Sequence, residues 1–173
     1  MKICNFAVST SKACTSPITI FSDSAGVERD LLSSPTFGSG SVDAGTYPCI
    51  LIEISKLIKT TGTTDCTEEW TDMICQDNTQ SSKLIDGTSV TCSGGKSNNQ
   101  HVTLYITTAS TGSSGDRALL PPDNETDTTA GLKLTSPFII SADTSGTLKV
   151  SPTGFIDKAG AICGTSAPTF SFE

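Results

Sequence analysis

The sequence predicts an all-β fold: a disulfide-braced β-sandwich of about nine or ten short strands with at most one short helix. Three observations carry this expectation. Apolar and polar residues alternate in short runs, with turn signals at ~8–12-residue spacing, the pattern of a sandwich or barrel rather than of βαβ units. Serine and threonine make up roughly three residues in ten, while charged residues are only 17%, against ~25% in an average soluble domain. Threonine suits the outward positions of strands. Finally, the chain of 173 residues holds seven cysteines and one histidine. None of the cysteines forms a C-x-x-C pair, so the spacing excludes zinc-finger, thioredoxin-like and haem-attachment chemistry and leaves disulfides.

The longest apolar run is Gly45–Thr60, GTYPCILIEISKLIKT. Ile50, Ile52, Ile54 and Ile58 fall on one side, and Leu51, Glu53, Ser55, Leu57 and Lys59 on the other. Branched residues in strict alternation mark a strand with one face in a core. The run far exceeds a usual strand of ~5–6 residues, so it is expected to bend, bulge or cross between sheets. A helix is the rival, but no N-cap follows Pro48.

Taken in order, residues 3–9 alternate with Cys4, Phe6 and Val8 on one side and read as a first strand. Ile18–Phe21 reads as a second, ended by a turn at Asp23–Gly26. The Gly/Ser-rich stretch 33–45 reads as an exposed loop. Thr67, followed by Glu68, Glu69 and Trp70, looks like a helix start with two acids in the first turn, and Glu68–Gln76 reads as a short helix, the one expected, or an irregular loop. Lys83–Cys92 reads as a hairpin with Asp86-Gly87 in a two-residue type I′ turn. His101–Thr107 is a strand with Val102, Leu104 and Ile106 inward and Thr103 and Tyr105 outward. Arg117–Leu120 reaches the core before Pro121-Pro122, and Asp123–Gly131 is an acidic loop. Short strands follow at 132–134, 138–140, 147–150 and 154–156, and Pro168–Glu173 reads as a docked terminal strand with Phe170 and Phe172 on one face. No fixed-period repeat or composition break divides the chain. Residues 1–173 therefore read as a single sandwich domain, with 1–12 as a candidate N-terminal extension or donor strand.

Asp43-Ala-Gly-Thr-Tyr47 leading into a hydrophobic strand resembles a segment found in immunoglobulin-like and transthyretin-like sandwiches of bacterial surface proteins. The resemblance spans a handful of residues and implies that form of sandwich.

The cysteines Cys4, Cys14, Cys49, Cys66, Cys75, Cys92 and Cys163 are all disulfide candidates, which implies an oxidising compartment. Connectivity is open. Cys66 with Cys75 is a locally plausible pair, and Cys4 is the candidate for the odd cysteine, as an intermolecular, anchoring or free thiol. No signal peptide is visible after Met1-Lys2, so the export reading expects a leader removed before this numbering. No run approaches the ~18 apolar residues of a membrane span.

The net charge is −7 with only 11 Lys and Arg. No basic patch is available to neutralise a phosphate backbone, which excludes nucleic acid as a partner. Gly95-Lys96-Ser97 matches the end of a phosphate loop, but the first glycine of that motif would fall at Val90. His101 is the residue through which a hydrolytic triad would have to run, and its place at a strand start reads as an exposed edge instead. No catalytic residue is assigned. Two ligand alternatives remain: a glycan at Trp70 with Glu68 and Glu69, and calcium on Asp123, Asn124, Glu125 and Asp127, an oxygen-rich set without EF-hand spacing. Asn124-Glu125-Thr126 is also a glycosylation sequon. The leading expectation is a non-enzymatic structural or interaction protein, extracellular or on a cell surface. Its partners would be copies of itself or other surface proteins, as in a filament or pilus-like assembly joined by Phe6, Val8, Phe170 and Phe172.

Overall fold

The structure, a computed structural model, describes residues 2–28, 40–60, 70–112 and 116–141 and the strands at 148–151, 156–159, 162–165 and 169–172. Those residues form β1 (Lys2–Ser9), β2 (Ile18–Glu28), β3 (Gly45–Tyr47), β4 (Cys49–Ser55), β5 (Leu57–Thr60), β6 (Trp70–Met73), β7 (Ser81–Lys83) and β8 (Ser89–Thr91). They continue through β9 (His101–Thr107), β10 (Leu132–Lys133), β11 (Phe138–Ile140), β12 (Leu148–Ser151), β13 (Ile156–Ala159), β14 (Ile162–Thr165) and β15 (Thr169–Phe172). Two 3₁₀ turns lie at Gly95–Ser97 and Asp116–Leu119. Among the described residues there is no α-helix. The protein is a disulfide-braced all-β fold.

The Gly45–Thr60 run does break and change sheets, at two identifiable residues. Pro48 has no N–H to offer a ladder, and β3 before it pairs with β11 while β4 after it lies in a five-stranded sheet of order β10-β9-β4-β1-β2. Lys56 is the second break. Its N–H donates to Gln100 O on the β9 side (2.8 Å), whereas its carbonyl accepts from Ile74 N just past β6 (2.9 Å). The chain then pairs β5 with β6. Every residue of β4 is buried, so the expectation of one solvent-facing side fails. Ile50, Ile52 and Ile54 enter one apolar cluster with Ile3, Val102 and Ile106. Cys49 and Leu51 enter a second with Ala7, Cys14 and Tyr105, with Ile85 packed on it. Thr103 and Tyr105 are buried on this second side rather than outward.

β1 runs between β4 and β2, antiparallel to both. Residues 2–9 are therefore an internal strand of the sheet, not an arm held out for a neighbour. Val8 is fully buried and Phe6 packs against the first cluster. Two irregularities meet on β1. Opposite β4 the register passes from Ile3↔Ile54 to Asn5↔Glu53, which leaves Cys4 as the extra residue of a bulge. Opposite β2 it passes from Ile3↔Val27 to Asn5↔Ser22, so Asp23–Gly26 bow out within the strand. The expected turn at Asp23–Gly26 is thus a wide bulge in an edge strand, a device that blunts pairing with other chains. Gly26 supplies the left-handed residue, φ +69°.

Other expectations are corrected by the geometry of turns. Trp70–Met73 is a strand, not part of a helix; residues 61–69, which hold the expected N-cap Thr67, lie outside the described residues. The β7–β8 hairpin is present, but of Asp86 and Gly87 only Gly87 has a positive φ, 90°. Leu84 N–H donates to Thr88 O, leaving a three-residue loop of Ile85, Asp86 and Gly87 in place of the two-residue I′ turn. Cys75 pairs with Cys92 and Cys14 with Cys49. This overturns the Cys66–Cys75 pairing, whose first member lies outside the described residues. At the C-terminal end β12 pairs with β15 and β13 with β14, one antiparallel pair nested within the other.

The sheet switch at Lys56 carries a testable consequence. Its side chain is fully buried, and Nζ donates to Asp77 Oδ1 (2.9 Å) and to Ser93 O. Asp77 also accepts from Gly95 N–H, the backbone donor that a phosphate would have needed at the Gly95-Lys96-Ser97 stretch. A stranded buried ammonium costs more than a stranded carboxylate that keeps 22% of its side-chain surface in water. Asp77→Ala should therefore lower the urea midpoint more than Lys56→Met. Equal losses, or the reverse order, would show that the pair does not govern this junction.

Candidate functional site

Cross-strand neighbours on the second face of the sheet change character along its length. At one end Cys49, Leu51, Ala7 and Tyr105 make the apolar cluster around Cys14. At the other end the ladder brings Asn5, Glu53 and Thr103 into one row and Ser55 beside His101. The bulge at Cys4 shifts its side chain onto this polar end, where Sγ lies 3.2 Å from His101 Nε2. His101 Nδ1 is 3.6 Å from Glu53 Oε1.

Glu53 is buried and held from two directions. Asn5 Nδ2 donates to Oε1 (2.8 Å) and Ile85 N–H, from the hairpin loop, donates to Oε2 (3.3 Å). Glu53 Oε1 and Cys4 Sγ thus flank the two ring nitrogens of His101. Burial pushes the Cys4 thiol up to about 11, helped by the negative charges of Glu53 and then Asp23, with Lys2 acting the other way. Burial and the Glu53 charge also raise the Tyr105 phenol, whose hydroxyl donates to Lys83 O (2.7 Å). Two oxygens flanking Glu53, Asn5 Oδ1 and Thr103 Oγ1, are buried without a hydrogen-bond partner.

His101 does lie where β9 pairs with β4 alone, but the expectation that it is exposed is corrected. Its side chain retains only 25% exposure and closes over Cys4. The constellation has the members of a Cys–His–carboxylate array, but its electrostatics run opposite to a nucleophile's. Reactive thiols are partly exposed and held below the ordinary range; Cys4 is fully buried and held above it. Sequence periodicity missed the cluster because the Cys4 bulge breaks the alternation that periodicity relies on.

The remaining candidates are dispersed. Asp127 Oδ1 accepts from Thr129 N–H and Oγ1, and its Oδ2 accepts from Asp123 N–H (3.1 Å) and Arg117 Nη2 (3.4 Å). Asn124 Oδ1 accepts from Thr126 N–H and Oγ1. Glu125 turns away to accept from Ser11 Oγ and Lys12 N–H. The loop thus spends its oxygens on its own backbone and on the segment before Cys14, rather than on one point. Among the described residues no group of three metal-ligating side chains forms. Glu68 and Glu69 lie outside the described residues, as does Cys66, and Trp70, Phe170, Phe172 and Cys163 are described only as members of β6, β15 and β14. Cys4 is the one free cysteine found among the described residues, and being buried it cannot link to another chain as it stands.

Comparisons with protein-family models, curated proteins and solved structures return no match. The class of the protein rests on its own fold and cysteines: a disulfide-braced all-β protein. No helix among the described residues is long and apolar enough to cross a membrane.

The Asp123–Asp127 loop is expected to respond to acid. Hydrogen bonds from the Thr129 hydroxyl, Thr129 N–H and Asp123 N–H, with the Arg117 charge, hold the Asp127 carboxyl at about 2. A lowered carboxylate contributes stability that is complete above its unfolded value of ~3.9 and is lost as pH falls through the folded value. The thermal midpoint should fall between about pH 4 and pH 2, and Asp127→Asn should make that fall shallower. An unchanged profile in the variant would remove Asp127 from the account.

Proposed function

We propose that this chain is an exported structural or interaction protein of the cell surface, most concretely a subunit of an extracellular filament or pilus-like assembly. The observation that carries the reading is the pair of cross-links. Cys14–Cys49 ties the segment after β1 to the central strand, and Cys75–Cys92 ties the segment after β6 to the end of β8, over separations of 35 and 17 residues. In the chain-entropy account such loops contribute about 4 and about 3 kcal/mol. Cross-links of this kind persist in oxidising compartments.

The sparse surface charge and the Ser/Thr-rich strands support the same reading. So does the state of the Cys–His–carboxylate cluster, which is not equipped for open catalysis. We infer the finer form to be an immunoglobulin-like or transthyretin-like sandwich. A five-stranded sheet with β4 buried on both sides supports it, as does the Asp43–Tyr47 segment leading into β4. The internal position of β1 argues against donation of residues 1–12, so the contact between copies is assigned to β11. That strand has β3 as its ladder partner and carries Ile139 at 69% exposure.

Two measurements test this. Non-reducing mass analysis of protein from its native compartment should find the Cys14–Cys49 and Cys75–Cys92 bridges; free thiols at these four positions would end the export reading. Sedimentation and electron microscopy of the intact chain should show ordered oligomers that Ile139→Glu disperses. A monomer at all concentrations would refute assembly, and oligomers indifferent to Ile139→Glu would refute the β11 contact.

A further inference from the structure

We propose that the polar end of the sheet around Cys4 is a thiol shield, a site that holds the odd cysteine as a hydrogen-bonded thiol and keeps it out of disulfide exchange in the folded chain. The inference is independent of filament assembly. Exchange requires a sulfur to lose its proton and attack one sulfur of a disulfide. The new S–S bond forms as the old one breaks, and the leaving sulfur departs as thiolate, to be protonated from solvent. The geometry opposes both requirements at Cys4.

Access is closed first. Cys4 is the bulged residue of β1, fully buried, between β4 on one side and the Asp23–Gly26 bow of β2 on the other. A Cβ placed at Gly26 would stand 3.0 Å from Sγ, so the backbone of β2 closes directly on the sulfur. In exchange the Cys4 sulfur would have to meet one sulfur of a reagent in line with the reagent's S–S bond, and a sulfur with no exposed surface has no room for that approach in the folded chain.

Ionisation is opposed next. The charged and titratable groups around the sulfur come from every strand packed on it: Glu53 from β4, Asp23 from β2, His101 from β9 and Lys2 from β1 itself. Two are anionic and disfavour a thiolate. His101 Nε2 is the sulfur's hydrogen-bonding partner, at 3.2 Å. The raised thiol implies about 100-fold less thiolate than an ordinary cysteine at neutral pH. The carboxylate itself stays in place through Asn5 and Ile85, which makes Glu53 and His101 positioning residues rather than catalytic ones.

The test is iodoacetamide alkylation of the intact, non-reduced chain, read at Cys4 by peptide mass, beside urea stability of each variant. Cys4 should react at least about 100-fold more slowly in the native chain than in urea. The variants separate charge from simple burial because they predict opposite signs. Asp23→Asn keeps the oxygen that caps Ala25 N–H (2.9 Å) and should speed alkylation several-fold. Lys2→Met should slow it. Glu53→Gln should also speed it, by more than its change in stability explains. Native alkylation as fast as in urea overturns the shield outright. Rates that follow stability alone, or that ignore both Asp23→Asn and Lys2→Met, overturn its electrostatic half and leave burial as the whole explanation.

Discussion

Burial of β4 on both faces is the constraint on which the rest of the molecule depends. A strand open to water on one side needs only one apolar face. Cys49–Ser55 has none to spare, so layers must cover both sides and every polar atom on it needs a partner. Ile50, Ile52 and Ile54 meet the first demand through the cluster that includes Ile3, Val102 and Leu119. The second side mixes Cys49, Leu51, Glu53 and Ser55, and its cover is correspondingly mixed: a disulfide, the Ile85 loop, and a row of hydrogen-bonding side chains. Ser55 Oγ is bonded to Asn99 and to Leu57 N–H. Buried polarity of this kind is tolerated where it is paired, as Glu53 and Ser55 are, while Asn5 Oδ1 and Thr103 Oγ1 beside them are left without partners.

Covering both faces raises the question of how the sheet ends. At β9, two residues of β10 pair in parallel with Ile106 and Thr107. Further along, Ser82 Oγ accepts from Thr103 N–H (2.9 Å) and donates back to Thr103 O (3.5 Å), so one hydroxyl occupies both backbone groups that a further strand would use. At the far edge the Asp23–Gly26 bow interrupts β2. Edge strands are otherwise templates for unwanted pairing. Here the device that blunts β2 is also the wall over Cys4, so edge protection and thiol protection come from one irregularity.

Much of this was legible in the sequence. The alternation in Cys49–Ser55 and His101–Thr107 located two strands that share a seven-residue ladder, and the excessive length of the Gly45–Thr60 run implied a bend, a bulge or a change of sheet without saying which, or that Pro48 and Lys56 would be the places. What was hidden depends on contacts distant in sequence. Thr103 and Tyr105 read as outward because their polarity suits water, and only the hairpin 21 or so residues earlier, with Ser82 and Lys83 O as partners, makes their burial tolerable. Trp70 followed two acids that favour a helix start, yet pairing with Thr60 set β6 as a strand, an instance of tertiary context overriding local propensity. Cysteine pairing was closed to sequence reasoning because loop length ranks partners weakly. Cys66 is nearer to Cys75 than Cys92 is, but Cys92 is brought beside it by Asn78 N–H on Cys92 O and Cys92 N–H on Gln80 O.

The low charge content gains meaning from where the charges sit. Lys56 spans the junction between two sheets by reaching Asp77 and Ser93 O. Arg117 reaches Asp123 and Asp127 across one loop, and Glu125 binds that loop to the Ser11–Lys12 backbone next to Cys14. Glu53 joins β4 to β1 and to the Ile85 loop. Arg117 closes a local loop, whereas Lys56, Glu125 and Glu53 join segments far apart in the chain. An isolated surface ion pair contributes little, but a charge that accepts or donates several hydrogen bonds at a chain crossing fixes geometry that apolar contacts leave loose. A protein with few ionised residues, and with strands too short to define their own neighbours, has placed several of them where the path of the backbone has to be decided.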